Sequence, residues 1–231
     1  MCLNGSATDL SPVSLRITRQ NLVSRTPTLL SFLSNTVVYK KLLNVWAAPL
    51  TVGTLQLAVG ALYAWTAWTA GLRQRPTTTT PLLAAALRHV GVWHAAGHLA
   101  TTVSLGAGTV SFTQIVKAME PFFSSAVAAV VSRQVMPWPV YATLLPVVGG
   151  VGYACLQQER SFSWFAFCTA MMANVSFALR AVLSKKAMTA NNNESVSLLT
   201  PTNAYALITM AGVVASLPVV LVGEGRTFNK P

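Results

Sequence analysis

Residues 42–72, LLNVWAAPLTVGTLQLAVGALYAWTAWTAGL, contain no Asp, Glu, Lys or Arg. A helix that crosses a bilayer needs about 20 mostly apolar residues, and this run exceeds that. Four more charge-free runs follow, at 89–116, 134–158, 161–179 and 195–223. One such run fits a buried core helix, but five in succession predict an all-α, polytopic membrane helix bundle. Composition agrees. The 231 residues are 53% hydrophobic and 9% charged, with mean hydropathy +0.53, whereas soluble domains carry about 25% charged residues.

The net charge is +11. Many of the cations stand at the ends of the apolar runs, among them Arg73, Arg75, Arg133, Lys185 and Lys186. Headgroup anchors and the bias of cations to one membrane face produce this placement. A nucleic-acid groove needs clustered cations on a polar face, so no nucleic-acid partner is expected. Cys2, Cys155 and Cys168 have no metal-ligand spacing, and an odd, scattered set gives no disulfide framework.

Residues 1–27, with Arg16, Arg19 and Arg25 among many Ser and Thr, read equally as an organellar transit peptide or as a basic N-terminal tail. A transporter domain is expected over 28–226, with a polar tail at 227–231. Seven helices are predicted within it, near 28–46, 50–72, 82–105, 109–132, 139–156, 162–188 and 200–222. Gly149, Gly150 and Gly152 in the fifth suggest close helix contacts, because small residues let helices approach in lipid.

Charges inside the spans are the candidates for function. Lys117 lies well within the fourth helix, where a cation costs roughly 2.5–3.5 kcal/mol on insertion scales. Glu120 follows three residues later on nearly the same face, so two readings stand: a self-neutralising Lys117–Glu120 pair, or a lysine turned to a ligand where Pro121 loosens the helix. Arg180 also has two readings, snorkelling toward Lys185 and Lys186 or facing the interior beside Phe177. His94 and His98, at i and i+4, have metal-like spacing but lack a third ligand, and Thr101 continues their face. With Lys117 and Arg180 outnumbering Glu120, the interior favours an anion. Phosphate fits, because its oxygens take charge-assisted bonds from Lys and Arg.

The stretch HAAGHLATTVSLGAGTVSFTQIVKAMEPFF, residues 94–123, resembles the most recognisable block of the plastid phosphate translocators in the drug/metabolite transporter superfamily. MANVSFALRAVLSKKAM, residues 172–188, resembles a second block. Weaker similarity occurs at 40–44 and 56–60, and the whole resemblance covers roughly 36–226. It implies about seven of ten helices in an inverted-repeat fold. It implies substrate-binding roles for Lys117, His98, Thr101, Arg180 and Phe177, with Lys117 at the phosphate-binding lysine. Thr102 stands where the family usually has Asn. The resemblance further implies C-terminal truncation before helices 8–10, which in the family add a tyrosine and a Lys-Arg pair to the grip.

The function so implied is antiport of inorganic phosphate against phosphorylated C3, C5 or C6 metabolites across a plastid inner envelope, in contact with the lipid bilayer. No cofactor or metal is implied, and no nucleophile–base constellation marks an enzyme. The alternatives are a nucleotide-sugar transporter of the same superfamily and a truncated chain without transport activity. Oligomeric state, orientation and the preferred metabolite are not readable from the residues.

Overall fold

The computed structural model describes residues 38–46, 48–73, 75, 81–133, 135–157, 162–191 and 200–225. The expected tail or transit peptide at 1–27, the first part of the expected first helix (28–37) and the tail at 227–231 lie outside the described residues. The chain divides into two compact units, Met1–Leu42 and Leu43–Pro231. Of the first, only 38–42 are described, and they are helical.

All regular structure among the described residues is α-helical: α1 (38–45), α2 (Pro49–Thr69), α3 (Pro81–Ala107), α4 (Val110–Lys117), α5 (Glu120–Val131), α6 (Trp138–Gln157), α7 (Trp164–Asn191) and α8 (Pro201–Gly223). Among the described residues, five spans are long and apolar enough to cross a membrane: α2, Val110–Val131, α6, Trp164–Thr189 and α8. The long α3 is less apolar because it is the central helix, packed on α2, α7 and α8. Polar side chains such as His94, Thr102 and Ser104 are buried against protein there rather than presented to lipid.

The predicted fourth helix is broken. Ala118 and Met119 form a turn between α4 and α5. Pro121 lacks the N–H that would bond the Lys117 carbonyl, and its ring crowds that turn. It is instead well placed in the first turn of α5, where a missing N–H costs nothing. Lys117 thus stands in the last turn of one half-helix and Glu120 in the first turn of the next. Each charge sits at the dipole end that favours it. The Asn174 amide of α7, fully buried, donates to the Val116 carbonyl at 2.8 Å and ties the broken end in place.

Hydroxyls and small residues hold the bundle together. Ser104 donates to the Ala166 carbonyl at 2.8 Å and lies 3.1 Å from the Thr113 hydroxyl, linking α3, α7 and α4. A Cβ on Gly91 would lie 2.6 Å from that of Ala211, so α3 and α8 approach almost backbone to backbone. The glycines expected to serve this purpose do not: added Cβ atoms at Gly149, Gly150 and Gly152 would meet nothing within 4 Å. Gly149 and Gly150 are exposed, and Gly152 borders an open hollow between α6 and α7 instead of a helix contact.

Glu224, just past the end of α8, caps α2. Its carboxylate accepts from Leu50 N at 2.7 Å, Thr51 N at 2.8 Å and Thr51 Oγ1 at 2.6 Å. Ala48 offers no side-chain cap and Pro49 has no N–H, while Val52 N bonds Ala48 O at 3.0 Å. The opening donors of α2, which lack intrahelical acceptors, are therefore met largely from a residue 173 or 174 positions away. Glu224→Ala is expected to destabilise the bundle by about 1–3 kcal/mol, the cost of stranding buried donors. Thermal unfolding in detergent checks this, with Glu224→Gln, which keeps one acceptor oxygen, expected to fall between the two.

Candidate functional site

The helix period places His94, His98 and Thr101 along one face of α3. That face meets α4 at Lys117, α7 at Phe177 and Arg180, and α8 at Tyr205 and Thr209. All five residues singled out in the sequence converge here.

Phe177 is the hub. It is 8% exposed. The Lys117 ammonium lies 4.8 Å from its ring centroid and the Arg180 guanidinium carbon 5.4 Å. His98 meets the ring edge-on at 5.4 Å and 88°. Cations within about 6 Å of an aromatic face are attracted by its quadrupole, so one ring steadies two positive groups that would otherwise repel. The ring fits because Gly97 stands opposite it: a Cβ there would come within 2.8–3.0 Å of three ring atoms.

Thr101 donates its hydroxyl proton to the Gly97 carbonyl at 2.8 Å, which leaves its oxygen free to accept from Lys117 Nζ at 3.3 Å. Lys117 is held by this hydroxyl and the Phe177 ring, and among the described residues it forms no ion pair with Glu120. Glu120 attracts Lys117 across the break, but its carboxylate is not in contact with the ammonium.

Arg180 likewise turns inward. Its guanidinium lies over both Phe177 and Tyr205, at 5.4 and 5.7 Å. Its Nε is buried without a hydrogen-bond partner. Lys185 and Lys186, toward which it would have snorkelled, are exposed. The site thus gathers two cations with no carboxylate bonded to either, in a medium where charge is poorly screened.

Three participants were not singled out in the sequence as part of this group. His94 is 1% exposed, stacks edge-on with His98 at 4.7 Å and Tyr205 at 5.3 Å, and lies 3.5 Å from Thr209 Oγ1. Thr209 already donates to the Tyr205 carbonyl at 2.9 Å. Its oxygen can accept from His94 Nε2, and His94 Nδ1 is buried without a hydrogen-bond partner. No third His, Cys, Asp or Glu joins the two histidines among the described residues. Tyr205 and Thr209 are the other two. Neither has a local signal, since a tyrosine or threonine in an apolar run declares no partner. Thr102, at the position where the resemblance implies Asn, faces α2 instead of the site. Its hydroxyl bonds the Leu99 carbonyl at 2.9 Å and packs against Gly53 of α2.

A separate hollow of about 560 Å³ lies between α6 and α7, lined by Val151, Cys155, Phe162, Trp164 and Phe167 with Met119. It has no charged wall and contacts none of the five residues, so it is not where an anion would be gripped.

The Triose-phosphate Transporter family profile matches residues 29–231. Among individual relatives, the chain is 40% identical over 194 residues to the chloroplastic triose phosphate/phosphate translocator of Pisum sativum, covering 84% of this chain and 46% of the relative. It is 39% identical to that of Spinacia oleracea over the same shares. It is 41% identical over 187 residues to the chloroplastic phosphoenolpyruvate/phosphate translocator 1 of Oryza sativa subsp. japonica, covering 80% and 44%. The chain spans about half the length of these curated relatives.

Proposed function

This chain belongs to the triose-phosphate transporter family, and on that premise we propose that it exchanges inorganic phosphate for phosphorylated metabolites, three-carbon compounds first, across a plastid inner envelope. The relatives are named for triose phosphate, phosphoenolpyruvate and phosphate. The observation that carries the proposal is the pair Lys117 and Arg180, braced on one aromatic ring inside a membrane bundle with no bonded carboxylate. Only an anion completes such a group, and a phosphoryl group offers several oxygens to Lys117, Thr101 and Arg180 at once.

Exchange rather than one-way passage follows from the same charges. Cations held in low dielectric resist desolvation unless they are paired. A bound phosphate neutralises Lys117 and Arg180, so the loaded carrier can close around it and reopen on the other face. The unloaded site cannot, so return requires a second anion. The break at 118–119 places half-helix ends and Lys117 partway through the span, the arrangement secondary carriers use for midplane sites. His98, with His94 and Tyr205 behind it, is positioned to contact the part of the metabolite beyond the phosphate. This reading is of a carrier rather than an enzyme, because the groups on the site bind and orient an anion and supply no paired nucleophile and base.

Liposomes containing the chain are expected to take up labelled phosphate only when loaded with internal phosphate, and external triose phosphate or phosphoglycerate should compete. Uptake that ignores internal phosphate, or none from inserted protein, would overturn the proposal.

A further inference from the structure

Away from the transport group, the ends of α5 and α7 enclose a second pocket, of about 510 Å³, lined by Val131, Ser132, Arg133, Val182, Lys185, Lys186 and Thr189. Such a volume is typical of small-molecule sites, about 300–1,000 Å³, and is more than one phosphate group fills. Among the described residues, three of those lining the pocket are cationic and none is acidic. Both helices end their apolar spans here: Val110–Val131 stops two residues before Arg133, and Trp164–Thr189 closes just past Lys185 and Lys186. The pocket therefore lies at headgroup level. It is on the membrane face that also holds the ends of α2 and α3 with Arg73 and Arg88, because α2 and α3 run antiparallel and α5 and α7 run parallel.

The backbone gives a second, independent observation. Arg133 has φ +51, the one described non-glycine residue in the left-handed region. Its position just after the Ser132 cap is one that glycine or asparagine normally takes at a helix end. An arginine there accepts strain, and its side chain is a lining group of the pocket. Neighbouring positions in the sequence are apolar and exposed, Val130 at 80%, Val135 at 77% and Trp138 at 76%, as on the lipid-facing side of a span.

We propose that this pocket is a binding site for the phosphate-bearing headgroup of an anionic membrane lipid, taken by Arg133, Lys185 and Lys186 while its acyl chains lie along Val130 and Val135. Basic pockets between helix ends recognise such headgroups, and hydroxyls at Ser132 and Thr189 stand at the same rim. A soluble phosphate could also satisfy the cations, but the pocket's place at the ends of two apolar spans favours a lipid headgroup. The inference rests on the membrane spans and not on the exchange activity, so it stands or falls separately.

The test is native mass spectrometry of the full chain purified in detergent, offered phosphatidylglycerol or phosphatidylcholine with identical acyl chains. Phosphatidylglycerol should be retained in preference. Removing each cation should weaken it about fivefold, and Arg133→Gln/Lys185→Gln/Lys186→Gln should weaken it on the order of 100-fold. Lys185→Arg/Lys186→Arg should keep it. Arg133→Gly removes a cation while relieving the left-handed strain, so weaker retention in that variant cannot be attributed to unfolding. Equal retention of the two lipids, or unchanged retention in Arg133→Gly and the triple variant, would overturn the proposal. Displacement of phosphatidylglycerol by millimolar inorganic phosphate would also overturn it, assigning the pocket to soluble anions.

Discussion

Lys117→Ala is expected to abolish phosphate exchange while changing the stability of the bundle little. The reason is a balance of magnitudes. An ammonium well inside the span costs roughly 2.5–3.5 kcal/mol. Against this stand the dipole at the end of α4, about 0.3–1 kcal/mol, and the contact with Phe177, about 0.5–2 kcal/mol. With the Thr101 hydrogen bond, about 0.5–1.5 kcal/mol, these returns roughly match the cost, so deleting the charge should change the stability of the fold little. A charged partner taken from a bound phosphate is different: it costs about 2–5 kcal/mol, a fall of about 30-fold or more in anion affinity. Lys117→Met, which keeps the apolar stem, should behave like the alanine variant. Lys117→Arg should recover exchange only in part, because a planar guanidinium does not fit between Thr101 and Phe177 as a compact ammonium does. Uptake into phosphate-loaded liposomes and thermal unfolding, measured on the same preparations, decide the matter. Retained exchange with unchanged apparent affinity would remove Lys117 from the site, and lost exchange with a collapsed melting temperature would make it a structural residue.

The helices were legible because lipid imposes a simple rule: a charge-free run of sufficient length must be helical to satisfy its own backbone. Helix ends from α2 onward accordingly lie within a few residues of those expected from the charge-free runs, with α4 and α5 together filling the fourth. The break at 118–119 was legible in outline, through Pro121. Which faces meet was not. Gly149, Gly150 and Gly152 have a spacing that suggests contact, yet Gly91 and Gly97 make the close approaches. A glycine states that a neighbour can come near, and only the position of the other helices states whether one does. The same limit applied to charge. Arg180 had a snorkelling path and an inward path, and Tyr205 on another helix is part of what it turns to. Asn174 and Glu224 act on backbone 58 and about 174 residues away, pairings that no local pattern announces.

Gly97→Ala is expected to damage transport through a residue that touches no substrate. A Cβ at Gly97 would sit 2.8, 2.9 and 3.0 Å from three atoms of the Phe177 ring, closer than carbon atoms tolerate, so the ring must shift. It cannot move alone, because Lys117 and Arg180 rest on it and His98 meets it edge-on. Overpacking of this kind costs about 1–3 kcal/mol, which, drawn from the anion grip, is between roughly fivefold and 100-fold in apparent phosphate affinity. Helicity should survive, since alanine favours a helix more than glycine does. A double-mutant cycle separates the path through Phe177 from any other. Phe177→Leu alone removes the ring and should itself weaken phosphate binding. If Gly97 acts through that ring, Gly97→Ala/Phe177→Leu should be no worse than Phe177→Leu, because the smaller side chain leaves nothing for the new methyl to displace. Additive losses would mean that Gly97→Ala disturbs α3 by another route, and wild-type affinity in the single variant would mean that the ring is not what orders the two cations.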